Sequence, residues 1–115
     1  MSYLNSREEQ DLVSFIENIE EKIECSQLIL NNYEKNKNCL ELENRRLNLE
    51  YRDSYDFDVY HKYTDVGSLC QYRQSIINKI VENNYLIDNL EYKIKKQIEI
   101  NNLLCNCNFY INKLL

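Results

Sequence analysis

A chain of 115 residues with no proline and one glycine, Gly67, nearly lacks the two residue types that punctuate loop-rich and all-β folds, so it reads as long helices in a single domain, 1–115. A formal net charge of −5 disfavours a nucleic-acid surface, which needs clustered Lys and Arg, and no apolar run approaches the roughly 20 residues of a membrane span. Two helices of this size bury a low fraction of their surface, so help from partner chains is the default expectation.

The first element is expected over about residues 7–51, where apolar residues recur at alternating four- and three-residue steps, the heptad pattern of a coiled coil. Leu12, Ile16, Ile19, Ile23, Ser26, Leu30, Tyr33, Lys37, Leu40, Asn44, Leu47 and Tyr51 occupy the seam, and nine of these twelve are apolar. Ser6 followed by Glu9 has the spacing of a capping box, and Glu8, Glu9 and Asp11 suit the positive end of the helix dipole.

The period breaks over about residues 52–72. Tyr55, Phe57 and Val59 alternate with Asp56 and Asp58, the period of a half-buried strand, and aromatic and β-branched residues favour that state. Thr64-Asp65-Val66-Gly67 supplies a turn signal, and Leu69 to Tyr72 are read as a returning strand. A plain connection between helices rarely needs some twenty residues this rich in aromatics, so a small β-hairpin is expected here.

A second helix is expected over about residues 73–115, with Ile76, Ile80, Asn83, Ile87, Leu90, Ile94, Gln97, Asn101, Leu104, Asn108, Ile111 and Leu115 in its seam. The two helical segments have similar lengths, so they are expected to fold back on each other. The fold class is therefore mostly α, a long antiparallel two-helix coiled-coil hairpin with a small β-hairpin in the connector. Polar seam residues such as Lys37, Asn44, Asn83, Gln97, Asn101 and Asn108 lower stability but can set register and partner choice.

No catalytic constellation stands out. Cys105 and Cys107 lie two apart, so on a helix they point roughly 200° away from each other, and no second Cys or His pair completes a tetrahedral set. Asp53, Asp56, Asp58 and Asp65 lack the spacing of a calcium loop. His61 is the single histidine and has no activated nucleophile beside it, and one glycine cannot build a phosphate-cradling loop. Lys93, Lys95 and Lys96 are followed by Glu99 and read as a solvated face. The expectation is a protein that is not an enzyme, with no cofactor, no metal, no nucleic-acid partner and no membrane partner. The start of the chain shows no signal peptide and the five cysteines show no secretory pattern, so a cytoplasmic location with reduced thiols is expected.

The apolar ends are the main interaction candidates. Leu12, Val13, Phe15 and Ile16 near one end, and Leu103, Leu104, Phe109, Tyr110, Ile111, Leu114 and Leu115 near the other, are brought together by antiparallel folding. They either close the coiled coil or leave an apolar patch open to a partner or client.

A helix, a β-hairpin and a second helix, with Tyr63-Thr64-Asp65-Val66-Gly67 just before the second helix, resembles a β-type subunit of prefoldin and its Tyr-x-x-Val-Gly hairpin. The resemblance implies a subunit of a hetero-oligomeric, ATP-independent co-chaperone. Such a subunit enters a hexamer, holds unfolded actin- or tubulin-type clients and delivers them to the cytosolic chaperonin. It implies that Val59, Tyr60, Tyr63, Val66, Gly67 and Leu69 assemble the subunits. Leu12, Val13, Phe15, Ile16, Leu104, Phe109, Tyr110, Leu114 and Leu115 become client-binding tips. The alternative is a structural coiled-coil subunit of another complex, of the kinetochore or vesicle-tethering type.

Overall fold

The computed structural model describes residues 5–56 and 65–114. Two long helices account for nearly all of them: α1, Ser6–Asp53, and α2, Val66–Asn112. They form a helical hairpin, and among the described residues there is no strand. Among the described residues no helix is long and apolar enough to cross a membrane.

The start of α1 is a capping box, displaced by one residue from the expected Ser6 and Glu9. Asn5 accepts a hydrogen bond from the Glu8 backbone N–H at 2.8 Å, and Glu8 reaches back to the Asn5 N–H at 3.2 Å. Asn caps as well as Ser does, and the carboxylate three residues on returns the bond from Glu8.

The start of α2 corrects the expected connector. Asp65 accepts a hydrogen bond from the Ser68 N–H at 2.6 Å and so caps a helix that begins at Val66, well before residue 73. Gly67 therefore lies in the first helical turn, without the positive φ of a turn glycine. Val66, Gly67 and Leu69, read as part of a β-hairpin, are helical. The physical reason is that Leu69 continues the seam of Ile76 and Ile80 backwards at helical spacing, with Arg73 between them. Leu69 is only 2% exposed, and burial of its side chain favours that extra turn. Phe57, Val59, Tyr60, His61 and Tyr63 lie outside the described residues. Tyr55 follows α1 in a turn, where Tyr55 and Asp56 donate backbone hydrogen bonds to Arg52 and Asp53.

The chain divides into two compact units, each containing part of both helices. The connector unit is Glu34–Glu91; the terminal unit comprises Met1–Tyr33 and Tyr92–Leu115. In the connector unit the helices are antiparallel: Lys37 meets Glu91, Asn44 meets Asn83 and Asn84, and Glu50 meets Tyr72. Leu47, Leu69, Ile76 and Ile87 form its buried apolar seam. In the terminal unit Ile16, Ile19 and Ser26 are buried, and Gln97 donates a hydrogen bond to the Ser26 hydroxyl at 2.7 Å.

Candidate interaction surface

Among the described residues of the connector unit, the buried polar side chains find their partners within it. Asn44 donates to Asn84 at 2.9 Å and accepts from Asn83 at 3.0 Å, and Asn83 is 1% exposed. Two of the residues that interrupt the apolar stripe are thus each other's partners, which removes the penalty of burying an amide alone. Lys37 also interrupts the stripe, and its ammonium reaches Glu91 at 3.3 Å and Glu41 at 3.7 Å. Partly exposed ion pairs of this kind contribute little, about 0–1 kcal/mol. Glu41, Arg45 and Asn84 rim an open groove floored by Ile80 and Ile87 beside this layer.

Next to the connector, Arg73 ties the end of α1 to α2. Its Nε donates to the Ser54 hydroxyl at 3.1 Å, its Nη2 donates to the Ser54 carbonyl at 3.0 Å, and its guanidinium lies 3.7 Å from the centre of the Tyr55 ring. Ser54 is fully buried, so Arg73 supplies a partner to a carbonyl that the helix end leaves open. Tyr72 donates to Glu50 at 2.6 Å. Tyr51 and Tyr55 share a hydrogen bond of 3.0 Å, and that bond holds the Tyr51 phenol above its usual pKa. Sequence reading missed Arg73. A lone Arg at a seam position looks like a break in the stripe, not like a tie between helix ends.

The terminal unit is different. Of the expected tip residues, Ile16 is buried and Leu12 and Leu104 are half-buried, while Val13, Phe15, Phe109, Tyr110 and Leu114 are exposed. Leu115 lies outside the described residues. Phe109 and Tyr110 meet edge to face at 5.5 Å, with the Lys113 ammonium 4.4 Å from the centre of the Phe109 ring. Leu28, Ile29, Tyr92, Ile98, Ile100 and Leu103 of the same unit are also exposed. Among the described residues, the buried side-chain polar atom without a hydrogen-bond partner is Asn101 Oδ1, which is also in this unit. Large hydrophobic side chains are exposed on the connector unit too, among them Leu42, Leu49, Val81 and Tyr85, but eleven of the eighteen belong to the terminal unit; exposed apolar surface of this kind suits cover by another chain.

The expected assembly residues are placed differently from the tips. Val66 is exposed at the start of α2, Leu69 is buried within the hairpin, and Val59, Tyr60 and Tyr63 lie outside the described residues. Among the described residues no group of three His, Cys, Asp or Glu side chains is placed to hold a metal ion, and all five cysteines are free and exposed. No protein-family model, no curated protein and no solved structure matches the chain.

Proposed function

We propose that this chain is a coiled-coil subunit that works by packing its helices against those of partner subunits. The observation that carries the reading is the imbalance of its apolar residues. Among the described residues six hydrophobic side chains are buried, whereas eighteen large ones are exposed. Apolar side chains left in water in this number favour cover by a partner, and a second layer of helices is the economical way to cover a heptad-bearing helix.

Two members of that class are distinguished by what the terminal unit does. In the structural reading its apolar face is a permanent interface in a larger assembly. In the co-chaperone reading Val13, Phe15, Phe109, Tyr110 and Leu114 hold non-native actin- or tubulin-type clients, and several copies of a weak tip gain grip by multivalency. The exposed Phe109 and Tyr110 pair supports the second reading. Assembly through a strand containing Val66 and Leu69 has no part in either, because both residues are helical; the subunit contacts are helical faces.

Co-expression with candidate partner subunits tests the proposal. A stable complex of defined mass that contains this chain supports assembly, and a chain that stays alone with every partner contradicts it. The client reading adds suppression of aggregation of unfolded actin, lost in Phe109→Ser/Tyr110→Ser. A complex that forms but leaves actin aggregation unchanged selects the structural reading.

A further inference from the structure

The last four turns of the chain carry two heptad stripes, and the outer one is the more apolar. Toward α1, the seam positions of α2 are Gln97, Asn101, Leu104, Asn108 and Ile111, of which three are polar. Around the same helix, Ile100, Leu103, Cys107 and Tyr110 recur at steps of three, four and three residues, and Leu114, in the turn that follows, continues the spacing. All five are exposed, Leu103 by 69% and Tyr110 by 65%. At about 100° per residue the helical four fall within an arc of roughly 80°, the width of a coiled-coil seam. An inner seam that is mostly amide beside an outer stripe that is wholly apolar marks the outer stripe as a helix-packing surface.

The charges flanking this stripe say what covers it. Glu99, Asn106 and Lys113 stand seven residues apart in one row along its edge. The row is acidic at one end, neutral in the middle and basic at the other. A second α2 packed antiparallel about Asn106 sets Glu99 against Lys113 of the second copy, and the two-fold symmetry repeats the pair. The same alignment sets Leu103 against Cys107 and Ile100 against Tyr110, a larger side chain with a smaller one in the first layer. A parallel copy gains nothing, because it aligns Glu99 with Leu104, which is half-buried against α1. In the single chain Glu99 has an exposed contact to Lys96 at 3.6 Å, a pair weak enough to yield to a new partner.

We propose that the terminal unit binds a second copy of itself through Ile100, Leu103, Cys107 and Tyr110 of α2, antiparallel, with Glu99 and Lys113, which follows the helix end, pairing across the two-fold axis. This rests on the reading of the chain as an assembling subunit and names one of its partners.

Sedimentation equilibrium of the full chain over a wide concentration range tests the pairing. The mass is expected to rise from that of one chain to that of two, and Leu103→Asp should hold it at one chain with the far-ultraviolet helix signal retained. Glu99→Lys and Lys113→Glu should each weaken the dimer by roughly 5- to 30-fold, through two lost and two repulsive pairs. The double variant, Glu99→Lys/Lys113→Glu, should restore it to within about threefold. Should Leu103→Asp unfold the chain, the charge-swap pair still decides, because surface substitutions leave folding intact. A dimer indifferent to the charge swaps overturns the proposed face. A chain that remains single at every concentration but joins a complex with other subunits overturns self-pairing alone. One that remains single and joins none overturns the assembling-subunit reading as well.

Discussion

The two units of the hairpin are built from the same two helices but close their surfaces differently. In the connector unit, Leu47, Leu69, Ile76 and Ile87 are buried, the amides of Asn44, Asn83 and Asn84 satisfy one another, and Arg73 caps the carbonyl of Ser54. In the terminal unit, Ile16 and Ile19 are the buried apolar residues, a buried Asn101 oxygen lacks a partner, and Phe15, Ile100, Leu103, Phe109 and Tyr110 face outward. A heptad repeat alone does not distinguish them, since both have one. Polar seam residues paired across the hairpin make one unit self-sufficient. Both units carry apolar residues off the seam, but the terminal unit has eleven of the eighteen and leaves a seam amide oxygen unpaired, which makes it depend more on company.

The largest predicted effect lies at the best-buried residue of the connector unit. Leu69→Ala should cost about 2–5 kcal/mol, seen as a lowered urea midpoint, because it opens a cavity where α2 begins. If Leu69 were the strand residue of a β-hairpin, a change there would leave the start of the helix protected from hydrogen exchange. Loss of protection at Leu69–Ile76 is the expected outcome.

The asparagine layer gives the next test. Asn44→Leu should destabilise by about 1–3 kcal/mol, because the buried Asn83 amide then has no acceptor. Asn44→Leu/Asn83→Leu removes both halves of that bond and should recover most of the loss. Its helices should then slide into more than one alignment, visible as doubled amide resonances. A double variant as destabilised as the single one would mean that the layer does more than satisfy itself.

The smallest effect has the opposite sign. Asn101→Leu in the terminal unit removes a buried acceptor without a partner, and should stabilise the chain by up to about 1 kcal/mol in thermal unfolding. Asparagines at equivalent heptad positions thus divide by unit, one kind needed and the other a burden on the isolated chain.

Much of this fold can be read directly from residue spacing. Nine apolar residues in twelve seam positions define α1, and near-equal segments joined by a connector define a hairpin. The connector was harder to read because two signals compete there. Tyr55, Phe57 and Val59 alternate like a strand, while Leu69 and Ile76 continue the helical stripe only if Arg73 is accepted at a seam position. A charged seam residue conceals helical period, and its compensating contacts with Ser54 and Tyr55 are tertiary. The capping box moved by one residue for a simpler reason: Asn5 and Ser6 are both good caps, and each has a Glu three residues on. The tips were legible as apolar clusters but not as faces. The spacing of Ile100, Leu103, Cys107, Tyr110 and Leu114 lies in plain view, yet one helix can carry two heptad registers, and spacing alone does not say which one faces α1.

Native-state hydrogen exchange of the chain at low concentration tests most directly whether the terminal unit needs company. Amides of α2 in Leu69–Ile87 are expected to exchange only through large openings, and those beyond Ile94 through much smaller ones. Equal protection along the whole of α2 would contradict the account, because it would show that the terminal unit is as complete by itself as the connector unit.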